Sequence, residues 1–196
     1  MITREDIPKE VLTVADKLEA AGFEAYLVGG CVRDLLLGRT PKDWDITTNA
    51  VPAEIEGLFP ETYCNNDFGT VGVVNEETED LTLKVVEVTP YRTESEYSDK
   101  RRPDSVSFGV SLEEDLKRRD FTVNAIAYRA KNDTLVDLFD GEADIRKKRL
   151  KTVGEADKRF GEDALRMMRA VRLSAELNFA IEAETMASIT KNAGLL

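Results

Sequence analysis

The stretch YLVGGCVRDLLLGRTPKDWDITTNA, Tyr26 to Ala50, constrains the fold more than any other part of the chain. An apolar run, Glu24–Val28, reads as a buried strand. Gly29-Gly30 breaks it. Cys31–Leu37 fits a short helix closed by Gly38, and Trp44–Thr48 reads as a second strand. Strand, tight turn, short helix and strand follow one another with almost no spare residues, so this segment belongs to an α/β domain. Side chains alternate along a strand, so Asp43 and Asp45 share one face while Trp44 and Ile46 face the core.

The remaining pattern extends that domain to about residue 150. Pro8–Ala21 carries Val11, Leu12, Val14, Ala15 and Leu18 at helical spacing and ends at Gly22. Pro52–Phe59 predicts a short helix. Tyr63–Cys64, Val71–Val74 and Leu81–Val88 predict strands, with Asn75–Asp80 as the hairpin turn. Pro90–Val106 is polar and long for a loop in a compact domain. Ser111-Leu112-Glu113-Glu114 fits a capping box at the start of a helix. Two strands joined by a turn at Lys131–Asp133 are expected after Ala125. From Gly154 the pattern is helical only, with an amphipathic helix over Asp163–Asn178 and another over Ile181–Asn192.

Composition narrows the chemistry. The chain has no histidine, which removes histidine as general base, triad member or metal ligand. Its two cysteines, Cys31 and Cys64, make no C-x-x-C and no disulfide framework, so a reduced, cytoplasmic setting is expected and a structural zinc site is not. No apolar run is long enough to span a membrane. A metal would have to sit on carboxylates, which points to a hard cation such as magnesium. The net charge of −11 argues against a broad nucleic-acid surface. The charge is uneven: residues 1–90 hold 7 Lys+Arg against 18 Asp+Glu, and residues 91–196 hold 20 against 20. The basic residues of the second part cluster at Lys100–Arg102, Lys117–Arg119 and Arg146–Lys151.

Three constellations carry possible chemistry. Asp43 and Asp45 would repel unless a cation joins them, and Glu87, ending a neighbouring strand, would add a third acid of the kind used in two-metal phosphoryl transfer. By itself a D-x-D is equally a solvated strand start. Gly29-Gly30 before a helix offers backbone N–H groups to a phosphate, and Arg33 lies one turn in. A tight strand-to-helix turn would use the same glycines. In EDALRMMRAVR, Ala164, Met167, Met168, Val171 and Ala175 form one helix face, and Asp163, Arg166, Arg169 and Arg172 run along the other flank. Those charges suit base readout, with Asp163 accepting from an exocyclic amine and Arg166 donating beside it, a pattern that fits cytosine and adenine. They equally suit a solvated face with Glu162–Arg166 and Arg172–Glu176 pairs.

Taken in order, LVGGCVRDLLLGRTPKDWDITTNA, VEVTPYRTESEYSDKRRPDSVSF, RRDFTVNAIA, DLFDGEADI and EDALRMMRAVRLSAELNF resemble the motifs of bacterial tRNA nucleotidyltransferases (CCA-adding enzymes) and the related bacterial poly(A) polymerases. The resemblance runs from about Phe23 to Phe179. It implies a nucleotidyltransferase head over residues 1–150, with a mixed, mainly antiparallel sheet flanked by helices, and the start of an all-α neck over 151–196. The body and tail helices of the family, which grip tRNA, would be absent.

The resemblance further implies catalysis by Asp43, Asp45 and Glu87, with Mg²⁺ on Asp43 and Asp45. Gly29, Gly30, Arg33 and Arg119 would contact the nucleotide phosphates, Asp163 and Arg166 would read the base, and Arg169 and Arg172 would support them. Pro90–Val106 would be the loop linked to the switch from C to A addition. The substrates implied are CTP, ATP and the tRNA 3′ end, with no protein partner. An A-adding enzyme, a poly(A) polymerase and a non-catalytic nucleotide-binding module are the competing readings.

Overall fold

A computed structural model describes residues 2–64, 68–95, 97 and 103–196. Its strands are β1 (Ala25–Val28), β2 (Trp44–Thr48), β3 (Thr62–Cys64), β4 (Val71–Val74), β5 (Val85–Pro90), β6 (Arg92–Glu94), β7 (Val106–Phe108), β8 (Ile126–Arg129), β9 (Thr134–Asp137), β10 (Arg149–Leu150) and β11 (Ala180–Ile181). Its α-helices are α1 (Lys9–Ala20), α2 (Gly30–Leu36), α3 (Pro52–Leu58), α4 (Leu112–Lys117), α5 (Gly141–Arg146), α6 (Ala156–Glu162), α7 (Leu165–Leu177) and α8 (Ala183–Asn192). Among the described residues a seven-stranded sheet runs β3-β4-β5-β2-β1-β8-β9. Only β2 and β5 pair in parallel; every other neighbouring pair in it is antiparallel. The expected mixed, mainly antiparallel sheet is therefore present. No helix among the described residues is long and apolar enough to cross a membrane.

The alternation of side chains divides the work of the two sheet faces. On one face Leu27, Trp44, Ile46, Val71, Val73, Val86, Val88 and Ile126 join Val11, Val14 and Leu18 of α1, Val32 of α2 and Ile55 of α3 in one buried cluster. On the other face Tyr26, Val28 and Ala127 are covered by Leu116 of α4 together with Tyr91. Helix α4 covers only part of that face. It is the face to which Asp45 and Glu87 belong, because they alternate with the buried Trp44, Ile46, Val86 and Val88.

Several expectations are corrected. The strand predicted over Leu81–Val88 begins only at Val85, and Leu81 is 84% exposed. Asp80 accounts for the delay: its carboxylate accepts from the amide and hydroxyl of Thr82, and its carbonyl from the Leu83 amide, holding a turn that outcompetes the apolar alternation. Pro90–Val106 is not loop throughout, since β6 and β7 pair antiparallel at its base. Residues 96 and 98–102, including the basic cluster Lys100–Arg102, lie outside the described residues.

The stretch after Gly154 is not purely helical. Asn178 takes a left-handed conformation that ends α7, and β11 then pairs in parallel with β10. The helix predicted from Asp163 begins at Leu165, because Asp163 is extended and separates α6 from α7. The buried face of α7 is Arg166, Met167, Ala170, Leu173 and Leu177. Of the apolar face predicted, Ala164 and Met167 are buried, whereas Met168, Val171 and Ala175 are exposed. The capping box holds: Ser111 Oγ accepts from the Glu114 amide at 3.3 Å, and Glu114 accepts from the Ser111 amide at 2.9 Å.

Candidate active site

Asp45 and Glu87 are direct register partners on the parallel strands β2 and β5. Such neighbours lie about 4.8 Å apart across a sheet and present their side chains to the same face. Asp43 precedes β2 and is exposed. All three acids line one cleft of about 400 Å³ with Lys42, Tyr63 and Thr82. Burial pushes the Asp45 carboxyl up to about 6; Arg119 pulls it down, and Glu87 and Asp43 push it further up. The carboxylates are thus mutually unfavourable in the absence of a counter-charge. Among the described residues no three acids close into a preformed cage. Magnesium is commonly held by one or two carboxylates plus waters and substrate phosphates, so this acid-only donor set fits a cation that arrives with a triphosphate.

Gly29 joins the acids to the basic side of the site. It takes φ +80° and ψ −131° at the start of α2, a conformation that costs L residues about 1–3 kcal/mol. A Cβ there would lie 3.4 Å from Arg119 Nη1 and 3.6 Å from Asp45 Oδ2. Backbone, guanidinium and carboxylate therefore converge at one point. Gly29→Ala should lower Tm by roughly 2–10 °C in a thermal melt. At Gly30 a Cβ would meet nothing nearer than Arg33 Nη2 at 3.6 Å, so Gly30→Ala should melt close to wild type. Arg33 is buried and curls back over its own helix start; it donates to Asn124 Oδ1 at 2.8 Å and Asp34 Oδ1 at 2.9 Å.

Arg119 also faces a second cleft, of about 330 Å³, lined by Arg92, Glu94, Tyr97, Arg118, Asp120, Asp163, Arg166 and Arg169, among others. The predicted base-reading pair is here. Asp163 accepts from the Leu165 amide at 2.9 Å, which fixes it at the start of α7. Arg166 donates to Glu162 at 2.8 Å, lies 3.4 Å from the Tyr97 hydroxyl and 4.0 Å from the Asp163 carboxylate. Arg169 is held by Asp120 at 2.7 Å. Arg172 is not among the residues lining this cleft: it is exposed and pairs with Glu176 at 3.8 Å. The Nε–H groups of Arg92 and Arg119 are buried with no partner among the described residues, which leaves donors for a ligand.

Two supporting acids were not singled out from sequence. Asp115 is fully buried and accepts from Arg118 at 2.7 and 3.0 Å, from Arg119 at 3.2 Å and from Thr47 of β2 at 3.3 Å. Burial opposes its charge, but Arg119 and Arg118 more than offset this and hold the carboxyl below its ordinary range. Glu94 accepts from Arg118 at 2.8 Å, from Arg92 at 3.3 Å and from the Tyr97 hydroxyl. The spacing of Asp115 to Arg118 and Arg119, i to i+3 and i+4 on a helix, was a visible signal. Glu94 had no comparable local signal.

Comparisons with known proteins give the chain's family and fold relatives. Residues 25–151 match the family described as Poly A polymerase head domain. The chain is 52% identical over 188 residues to the CCA-adding enzyme of Latilactobacillus sakei, covering 95% of this chain and 46% of that protein. It is 51% identical over 189 residues to the CCA-adding enzyme of Geobacillus thermodenitrificans, covering 96% and 45%. The fold matches the crystal structure of the Bacillus stearothermophilus CCA-adding enzyme in complex with CTP, with a TM-score of 0.83 and 47% identity over 95% of this chain and 44% of that one. A tRNA nucleotidyltransferase complexed with a primer tRNA and an incoming ATP analogue matches with a TM-score of 0.71 and 28% identity over 93% and 50%. This chain thus spans less than half the length of those two curated relatives.

Proposed function

This chain belongs to the Poly A polymerase head-domain family, and from that premise we propose that it is the catalytic head and start of the neck of a CCA-adding tRNA nucleotidyltransferase. Residues 1–150 are the head in this reading and residues 151–196 the start of the neck. The reaction is template-independent addition of C and A to a tRNA 3′ end from CTP and ATP. The 3′-oxygen of the primer bonds to the α-phosphorus, the bond to the β-phosphate oxygen breaks, and pyrophosphate leaves. A cytoplasmic setting accords with Cys31 and Cys64, which form no disulfide.

One observation carries the reading: at Gly29, Asp45 of the acidic cleft comes close to Arg119, which lines a second cleft with other arginines and the Asp163–Arg166 pair. Asp43 and Asp45 would hold magnesium, with Glu87 as the third carboxylate beside them; the bound metal would neutralise charge on the attacking and leaving oxygens. Gly29, Gly30, Arg33 and Arg119 hold the triphosphate, and the chain's own contribution is positioning and charge neutralisation. With no histidine in the chain, a carboxylate of the acidic cluster takes the proton of the 3′-hydroxyl. Asp163 and Arg166 select cytosine and adenine over uracil and guanine, and Arg169, held by Asp120 in the same cleft, supports them; Arg172, exposed and outside that cleft, takes no part.

The test is incorporation of labelled CTP and ATP into tRNA lacking its CCA, with magnesium-dependent nucleotide binding measured beside it. Wild type should prefer CTP and ATP to UTP and GTP. Arg166→Ala should reduce that preference by about 10- to 100-fold, the discrimination of one bidentate contact. Retained preference in Arg166→Ala would remove this residue from base readout. Addition of A only, to tRNA already ending in CC, would move the assignment to an A-adding enzyme.

A further inference from the structure

Across the open part of the site face one row of residues runs over four adjacent strands: Tyr63 on β3, Gly72 on β4, Glu87 on β5 and Asp45 on β2. Gly72 breaks the row in a useful way. A Cβ at that position would lie 2.5 Å from Tyr63 Cζ, 2.7 Å from Cε1 and 2.9 Å from the hydroxyl oxygen. The phenol ring therefore occupies the space above Gly72 and leans across β4 toward Glu87. It remains 42% exposed and lines the same cleft as Asp43, Asp45 and Glu87. Glycine inside a strand weakens the strand and often marks a close approach. Here it lets an aromatic ring lie low against the sheet, next to the acids.

The position has a direction. Arg119 sits by Gly29 just past β1, on the β1 side of Asp45, and Tyr63 lies beyond Glu87 on the other. In-line displacement requires the attacking oxygen to approach opposite the leaving pyrophosphate. If the nucleotide occupies the arginine side, the strand bearing the 3′-hydroxyl arrives from the Tyr63 side. Two strand spacings, about 10 Å, separate the backbones of Tyr63 and Glu87, and the ring spans much of that gap. A base attached to a ribose at the acids then falls within reach of the ring.

We propose that Tyr63 is a stacking platform for the 3′-terminal base of the RNA primer. The inference rests on the nucleotidyltransferase reading above and adds a primer contact to it. Stacking suits this step physically. The terminal base of the acceptor changes with each addition, and an aromatic face accepts any base, whereas hydrogen-bond readout would favour one.

The ring also covers Gly72, so the test separates stacking from cover. Leucine covers glycine but offers no π-face; phenylalanine offers both. The probe is a short single-stranded RNA ending in 2-aminopurine, whose fluorescence is quenched by stacking, titrated with the 196-residue chain in magnesium. Wild type and Tyr63→Phe should quench it and bind it alike. Tyr63→Leu should lose the quenching and bind about 5- to 100-fold more weakly. Magnesium-dependent CTP binding and Tm should match wild type in both variants. Equal quenching by Tyr63→Leu, no quenching by wild type with CTP binding intact, or joint loss of RNA binding, CTP binding and Tm in Tyr63→Leu would each overturn the platform. Failure of wild type to bind CTP would instead count against the nucleotidyltransferase reading.

Discussion

Asp45→Asn should cut nucleotide incorporation by at least about a thousandfold and yet make the metal-free protein harder to unfold near neutral pH. The loss of activity follows from its place. Asp45 is the acid of the cleft that lies nearest Arg119, beside Gly29, and it is in register with Glu87. The gain in stability follows from the same crowding. Its carboxyl titrates at about 6 in the folded protein, against an ordinary value of 3.8, first because of burial and also because of Glu87 and Asp43. A raised carboxyl favours the protonated form, so ionisation costs folded-state stability. Below about pH 4 the group is protonated in both states and the cost is absent; it grows as pH rises and is complete above about pH 6. Asparagine escapes it. In urea unfolding with a chelator, Asp45→Asn should exceed wild type by on the order of 1–3 kcal/mol at about pH 7.5, and the difference should vanish near pH 4. Magnesium with CTP should stabilise wild type and not the variant. Equal stability at both pH values would mean that Arg119 already neutralises Asp45 and that no cation is needed there.

What the sequence made legible was mostly local. Alternation in WDITT correctly sent Trp44 and Ile46 to the core, 3% and 0% exposed, and so placed Asp45 on the opposite face. The glycine pair, the short helix and the Ser111 capping box depend on neighbours within a few residues, and each appears where expected. The misreadings have non-local or competing causes. Nothing near Ala180 announces a strand; β11 exists because Lys148 and Leu150 offer carbonyls to the amides of Ala180 and Glu182. Met168 and Val171 look like core residues on a helical wheel. The buried seam runs instead through Ala170, Leu173 and Leu177, because that side of α7 meets the head's own cluster. The same packing buries Arg166 and leaves Arg172 to solvent, although both sit at three-residue steps along one flank. Asp163, Arg166 and Arg169 were named from one local motif, and they line one cleft. Glu94, whose partners Arg118 and Arg166 are distant in sequence, was not named.

Asp115→Asn should lower stability by about 3–5 kcal/mol, or Tm by roughly 10 °C. Asp115 has no exposed surface, and it is the shared counter-charge of Arg118 and Arg119. Without its charge both guanidinium groups remain largely buried beside each other, and among the described residues Arg118 keeps only Glu94 as an ion-pair partner. An isosteric amide preserves shape and still accepts one hydrogen bond, so the loss measures charge rather than volume. The Arg172–Glu176 pair is the fitting contrast: it is exposed on both sides, and breaking it by Arg172→Ala should change stability by less than about 1 kcal/mol. Asp115 also determines where Arg119 points, since one carboxylate oxygen faces Arg119 and the other Arg118. Binding of CTP and of ATP should therefore weaken together in Asp115→Asn, with the ratio between them unchanged, because the Arg119 end of the site is disturbed and the Asp163–Arg166 pair is not. A variant that melts with wild type and binds both nucleotides normally would mean that Arg119 is fixed by something other than the carboxylate beneath it.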